Sequence, residues 1–158
     1  MKEQNLEIPK FQLINLPDNF MEFSSKYTDI NCANCNAKHY NFYICLFCGS
    51  KICNYQKCVG KKKKNGEKEY SLIVHSKNCT GDNSIFISNT DSEIVFLLKR
   101  QFVMSGIYVY LNNFGEYVKD NYLNDNYVLN KIELDKSIQK FIDMTYRKKG
   151  IKIRIRNI

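Results

Sequence analysis

The stretch that decides the fold is residues 32–79, CANCNAKHYNFYICLFCGSKICNYQKCVGKKKKNGEKEYSLIVHSKNC, which contains all seven cysteines of the chain. These cysteines fall into spaced pairs, and the last of them is accompanied by a histidine. The pairs are Cys32 with Cys35, Cys45 with Cys48, Cys53 with Cys58, and His75 with Cys79. Thiolate and imidazole are ligands that zinc prefers, so the stretch predicts two four-coordinate zinc sites.

The spacing within the pairs favours metal sites over the alternatives. Two pairs are C-x2-C, which lets both sulfurs reach one metal from a tight turn, and Gly49 follows the second of them. A single buried cysteine could be a small hydrophobic residue, but seven in spaced pairs are not explained that way. The odd count and the missing secretory signal argue against a disulfide framework. Every ligand position is filled, so we expect structural zinc and no catalytic residue.

Which pairs share a metal is not decided by spacing alone. We favour a cross-braced arrangement, with a sequential pairing as the alternative. In the favoured arrangement Cys32, Cys35, Cys53 and Cys58 bind one zinc, and Cys45, Cys48, His75 and Cys79 bind the other. The remaining histidine, His39, is expected to be a surface residue of the loop between the first two pairs.

Composition limits the classes of partner. The 158 residues carry a net charge of +8, concentrated in Lys61–Lys64 and in the tail from Arg147 to Arg156. We interpret the lysine run as an exposed loop, so nucleic-acid binding is not the favoured function. No apolar run approaches the roughly 20 residues of a membrane span. Zinc-type cysteines without a secretory signal predict a reducing compartment, the cytoplasm or else the nucleus.

The pattern of apolar residues predicts an α+β fold. Asp18 is expected to cap a short helix over 19–27 with Phe20 and Phe23 inward. Strands are predicted over 40–45, 70–75, 84–88 and 93–99, and residues 102–104 and 107–111 are predicted to give one or two more. A turn is expected at 89–92 and a polar loop at 117–130. A last helix is expected over 136–149, from a cap at Asp135 to Gly150. Its core residues are Ile138, Phe141, Ile142 and Tyr146. The tail 151–158 is expected to be an edge strand or frayed.

These elements predict one domain over residues 1–158. A short N-terminal helix region spans 11–30, and a zinc-stabilised lobe spans 31–82. The lobe packs on a small antiparallel sheet, which together with the longer C-terminal helix spans 83–158.

The order of several short motifs resembles the C-terminal domain of the UBR-box E3 ubiquitin ligases, the N-recognins of the N-degron pathway. The resemblance covers roughly residues 11–151 and is sharpest at Cys45-Leu-Phe-Cys-Gly-Ser-Lys-Ile-Cys. Further landmarks are Leu13-Ile-Asn-Leu-Pro-Asp, Cys58, His75, Cys79, Gly81, Ile85-Phe-Ile, Tyr110-Leu-Asn-Asn-Phe-Gly-Glu, Leu134, Ile138 and Phe141. Two departures concern Glu116-Tyr-Val, where the family often has ETD, and Leu72, where it often has a cysteine. The resemblance implies that Cys35 replaces the missing ligand.

The resemblance implies a role inside a larger ligase. A UBR box that reads the substrate's N-terminal residue and a RING that engages the ubiquitin-conjugating enzyme would lie upstream. This segment would pack against them and organise the recognition and ubiquitination of N-degron substrates, without transferring ubiquitin alone. Two other classes stay open: a free-standing zinc module that binds ubiquitin or a protein tail, and a basic zinc-containing nucleic-acid binder.

Overall fold

A computed structural model describes residues 12–53, 58, 70–119 and 126–146. Within these ranges the chain forms three helices and seven strands. The helices are α1 Phe20–Thr28, α2 Ser71–Cys79 and α3 Lys131–Tyr146. The strands are β1 Phe42–Cys45, β2 Lys51–Cys53, β3 Ser84–Ser88, β4 Glu93–Leu98, β5 Gln101–Tyr108, β6 Tyr110–Leu111 and β7 Val128–Leu129. The lysine run at 61–64, the end of the last helix at Gly150 and the tail at 151–158 lie outside the described residues.

The core of the fold is a five-stranded antiparallel sheet in the order β2-β1-β3-β4-β5. The hairpin β1–β2 from the cysteine stretch is therefore part of the same sheet as the strands that follow it. A second sheet pairs β6 with β7. The predicted α+β class with a small antiparallel sheet is confirmed. No helix within the described ranges is both long and apolar enough to cross a bilayer.

The central strands are buried on both faces because helices cover both sides of the sheet. Side chains alternate along each strand, so Phe42 and Ile44 lie on one face while Tyr43 and Cys45 lie on the other. Helices α1 and α3 cover the first face, and the ring centre of Phe141 in α3 lies 5.8 Å from that of Phe96. Helix α2 covers the second face through Leu72, which is 5% exposed. Burial of the sheet on both sides supplies most of the apolar stabilisation.

Helix α1 begins one residue later than predicted. Asn19, not Asp18, is the cap, and its side-chain oxygen accepts the Glu22 backbone N–H at 2.8 Å. Phe20, Phe23 and Tyr27 then recur on one face and are buried, as expected for a helix with one apolar stripe. The Asp18 carbonyl instead accepts the Leu129 N–H at 2.8 Å and ties the start of α1 to β7.

Residues 71–75 belong to helix α2, so the strand predicted over 70–75 is wrong. The apolar and β-branched residues of this segment suggested a strand, but the four-residue spacing of His75 and Cys79 fits a helix. Residues four apart are neighbours on a helix surface, and His75 and Cys79 share one face of α2 in this way. Leu72 lies one turn before them and packs onto the sheet.

Three further boundaries differ from prediction. Helix α3 begins at Lys131, because the Asn130 side chain caps it by accepting the Glu133 N–H at 3.1 Å. The predicted polar loop at 117–130 contains β7, which pairs with β6. Strand β5 covers 102–104 and continues to Tyr108, whereas Tyr110–Leu111, at the end of the predicted 107–111 strand, form β6 of the second sheet.

The continuity of β5 depends on a bulge. Gly106 adopts a positive φ of 69°, and its N–H donates to the buried Glu93 carboxylate at 2.9 Å. Glycine accommodates this conformation, so the extra residue bends the strand without ending it. Of the core residues predicted for α3, Phe141 is buried and Ile138 and Ile142 are half-buried, while the side chain of Tyr146 lies outside the described part.

Candidate metal centres

The eight predicted donors come together in two groups of four. In each group the nitrogen or sulfur donor atoms all lie within 4.8 Å of one another. One group, the first site, is Cys32, Cys35, Cys53 and Cys58; the other, the second site, is Cys45, Cys48, His75 and Cys79. The structure thus brings the donors together as the cross-braced arrangement has them, and the sequential pairing does not occur.

The first site is built on a tight turn and the open end of the β1–β2 hairpin. In this turn the Cys32 N–H donates to the Ala37 carbonyl at 2.9 Å, and Asn36 has a positive φ of 58°. Asparagine tolerates this left-handed conformation better than most residues. Cys53 is the last residue of β2 and pairs across the ladder with Phe42, so it returns to the turn that holds Cys32.

The sulfur distances at the first site match a tetrahedral metal. Cys32 Sγ lies 3.6 Å from Cys58 Sγ, and Cys35 Sγ lies 3.7 Å from Cys53 Sγ. A disulfide requires about 2.05 Å, so these are not disulfide bonds. Sulfurs bound tetrahedrally at about 2.3 Å from zinc would be about 3.8 Å apart. The donor set therefore fits a thiophilic, four-coordinate ion.

The thiols of the first site differ in acidity. Burial raises the pKa of Cys32, but N–H donors of Cys53, Cys35 and Asn34 more than offset this and lower the value to about 7. Burial and the neighbouring sulfurs raise the pKa of Cys58. When thiols are crowded together without a cation, one can ionise but the negative charge of its thiolate opposes ionisation of the next. A bound divalent ion would offset this repulsion between thiolates.

The second site lies at the turn end of the same hairpin. Cys45 ends β1, and Cys48 follows in the turn, where the Gly49 N–H donates to the Cys45 carbonyl at 2.8 Å. Gly49 has a φ of 76°, a conformation that glycine reaches without steric cost. His75 and Cys79 come from α2, which ends where the Gly81 N–H donates to the Ser76 carbonyl at 2.7 Å.

The electrostatics of the second site suit a metal as well. Cys48 Sγ lies 3.4 Å from His75 Nε2. Burial lowers the pKa of His75, which keeps the imidazole in the neutral form that binds metals. Burial and nearby thiols raise the pKa of Cys79 to about 12. Burial also acts to raise the pKa of Cys48, but hydrogen bonds with Ser50, Cys45 and Cys79 together outweigh it and lower the pKa.

Two residues near the first site differ from what the sequence indicated: His39 was expected to be a surface residue, and Lys51 was not singled out. His39 is half-buried, and its Nε2 lies 3.7 Å from Cys35 Sγ. The Cys35-x3-His39 spacing was the available signal. Lys51, only 2% exposed, donates to the carbonyls of Tyr27 and Thr28 at 2.9 and 3.2 Å, with its ammonium 4.2 Å from the Phe42 ring centre. No sequence pattern marked Lys51 as buried.

The fold and the two sites define a class: an α+β domain whose central hairpin carries a cysteine-rich group at each end, each able to hold a metal ion. Comparison with known proteins identifies the family. Residues 2–123 match the Proteolysis_6 C-terminal family, which is most of the chain. The chain belongs to this family, and the predicted relationship to the C-terminal domain of UBR-family ligases is confirmed.

Individual relatives agree with this assignment. The chain is 29% identical over 109 residues to the zebrafish E3 ubiquitin-protein ligase ubr3, which covers 69% of this chain and 6% of that protein. It is 26% identical over 120 residues to human E3 ubiquitin-protein ligase UBR3, covering 76% of this chain and 6% of the human protein. The Drosophila melanogaster ligase Ubr3 is 27% identical over 109 residues. The chain thus spans a small fraction of these relatives' length.

Proposed function

We propose that residues 1–158 form the C-terminal zinc-binding domain of an N-recognin-type E3 ubiquitin ligase. The observation that supports this most directly is the match to UBR3 ligases across about 70% or more of this chain. The domain would help organise recognition and ubiquitination of N-degron substrates, whose products go to the proteasome. Its partners would be the UBR box and RING regions of the ligase, in the cytoplasm or nucleus.

The two groups of four donors would hold one zinc ion each. When bound, zinc supplies a fixed tetrahedral cross-link, and all four positions at each site are filled by protein donors. The first site would join the turn at 32–37 to the end of β2 and to Cys58. The second would join the β1–β2 turn to α2. Because the hairpin runs between the sites, its two ends would be clamped separately, and the surface around it would be rigid.

A rigid scaffold is consistent with a binding or regulatory role rather than a catalytic one. The domain would present a fixed surface to the rest of the ligase, and the chemistry of ubiquitin transfer would reside elsewhere. Exposed apolar residues such as Phe114 and Ile132, which are 87% and 68% exposed, are candidates for that surface.

A degradation assay tests the function. The chromosomal copy would be altered to Cys48→Ala, and the half-lives of two reporters compared, one beginning with arginine and one with methionine. We expect the arginine reporter to be several-fold longer-lived and the methionine reporter to be unchanged. Asn113→Ala, at an exposed loop position, is the matched control. Equal half-lives in all strains would contradict the N-recognin role.

The alternative of a free-standing ubiquitin-binding module is separated by titration. Labelled ubiquitin would be added to the zinc-loaded chain, and saturable micromolar binding would favour that alternative. We expect no such binding, because the proposed domain acts through the rest of its ligase. The nucleic-acid alternative requires binding that falls steeply with salt concentration.

A further inference from the structure

The first site has a fifth donor next to it. Cys35 Sγ lies 3.7 Å from Cys53 Sγ inside the group of four, and also 3.7 Å from His39 Nε2 on its other side. A sulfur and a nitrogen bound to the same tetrahedral zinc would be about 3.6 Å apart. His39 is therefore as close to Cys35 as a second ligand of the same metal would be.

The spacing of the two residues is a metal-binding spacing. Three residues separate Cys35 from His39, and three separate His75 from Cys79 at the second site. Zinc sites often use a pair of donors with three to five residues between them. The chain between Cys35 and His39 is thus long enough for both side chains to approach one ion.

The backbone on both sides of His39 is held in place. The Ala37 carbonyl accepts the Cys32 N–H at 2.9 Å, and the Tyr40 carbonyl accepts the Asn89 side-chain amide at 2.6 Å. Asn89 is itself buried and accepts the Phe42 N–H at 2.7 Å. The first bond ties the segment to the Cys32 turn and the second ties it to the sheet, so the backbone that carries His39 is held beside the first site.

We propose that His39 is an alternative ligand of the first metal site, able to take the tetrahedral position of Cys35 when that thiolate is lost. The proposal rests on the first zinc site proposed above. Cys35 holds the position in the intact chain because it belongs to the compact group of four. If Cys35 is removed, three thiolates remain with a nitrogen donor nearby, which is the Cys3His ligand set common in structural zinc sites.

Cobalt(II) binding tests this in the complete chain. Tetrahedral cobalt absorbs in the visible range, and its sulfur-to-metal bands report the number of thiolates. We expect Cys35→Ala to bind two cobalt ions, with the bands changed as for the loss of one thiolate. Cys35→Ala/His39→Ala should bind one ion, or release the first-site ion to a chelator at least tenfold faster. Cys35→Ser, with and without His39→Ala, repeats the comparison in a side chain of similar size.

The matched control is Cys53→Ala. Cys53 belongs to the same site, and the other histidine of the chain, His75, lies in the second site. We expect this variant to bind one ion whether or not His39 is present. The proposal is overturned if Cys35→Ala and Cys35→Ser bind one ion like Cys53→Ala, or fail to fold. It is equally overturned if removal of His39 changes neither the count nor the release rate. An unaltered chain that binds fewer than two ions would instead contradict the zinc sites themselves.

Discussion

Cys48 Sγ and His75 Nε2 lie 3.4 Å apart although the two residues are 27 positions apart in the chain. Cys48 comes from the turn after β1, and His75 comes from α2, which covers one face of the sheet. The His75 ring also meets Phe86 of β3 edge-on at 6.2 Å. The contact therefore joins a hairpin, a helix and the sheet core at one point, and the predictions below begin from it.

Purified chain should contain two zinc ions. Each group of four donors has the composition and the spacing of a tetrahedral site. Elemental analysis of protein prepared without chelators measures the ratio, and one ion or none would contradict the two-site arrangement. Removal of zinc should abolish the cooperative thermal transition, since metal binding and folding form one equilibrium in such segments. Calorimetry before and after chelation checks this.

Cys48→Ala should be more damaging than Cys35→Ala. Loss of Cys48 opens the site that attaches α2 to the sheet, whereas Cys35 belongs to a turn outside the regular elements. We expect Cys48→Ala to lower the melting temperature by about 10 °C or more, because each kcal/mol shifts it by about 2–4 °C at this size. Thermal melts with zinc content measured alongside decide it. An equal fall in melting temperature for both variants would mean that the two sites contribute equally to stability, contrary to this prediction.

Lys51→Met should destabilise the fold. The ammonium satisfies the last carbonyls of α1, at Tyr27 and Thr28, and methionine keeps the apolar stem but removes these bonds. Hydrogen bonds to charged groups contribute about 1.5–3 kcal/mol, and we expect a loss of that size in the free energy of unfolding. Lys26→Met, on the exposed side of α1, is the control and should change little. Denaturant unfolding measures the free energy of unfolding of both variants. Equal values for Lys51→Met and Lys26→Met would contradict the prediction.

Tyr110→Phe should reveal a pH dependence. The buried Tyr110 hydroxyl donates to the Pro17 carbonyl at 2.7 Å, so the variant should lose about 1 kcal/mol near neutral pH. Burial, followed by the negative charges of Tyr27, Asp18 and Glu22, raises the pKa of Tyr110 in the folded chain. Its stabilisation is complete below about pH 10, the ordinary tyrosine value, and is lost as pH rises beyond it. The free energies of unfolding of the unaltered chain and of Tyr110→Phe should therefore converge between pH 7 and pH 11. A difference that stays constant over this range would contradict the prediction.

The chain alone should not transfer ubiquitin. Its cysteines are assigned to the two metal sites, which leaves none for a thioester. A reconstituted assay with activating enzyme, conjugating enzymes and ubiquitin should give the same products with and without the chain. Ubiquitin chains that require this segment alone would refute the assignment of a non-catalytic role.

Much of this protein could be predicted from its residues one at a time. The inward residues of α1 and the strand at 84–88 depend on local chemistry, and the structure agrees with them. The strand predicted over 93–99 is present and ends one residue earlier, at Leu98. The local sequence pattern gave the wrong secondary structure where tertiary contacts outweighed local preference. Residues 70–75 were predicted as a strand from their apolar and β-branched residues, yet the helix brings His75 and Cys79 to one face and Leu72 to the sheet.

The pairing of the donors was decided only in three dimensions. In the antiparallel β1–β2 hairpin, Cys45 lies at the turn end and Cys53 at the open end, opposite Phe42. The three steps from Phe42 to Cys45 span about 10 Å, too far for one ion to reach both ends. Cys53 therefore joins Cys32, and Cys45 joins the helix that covers the sheet. Spacing along the chain carries no information about that separation, because it arises from the register of two strands.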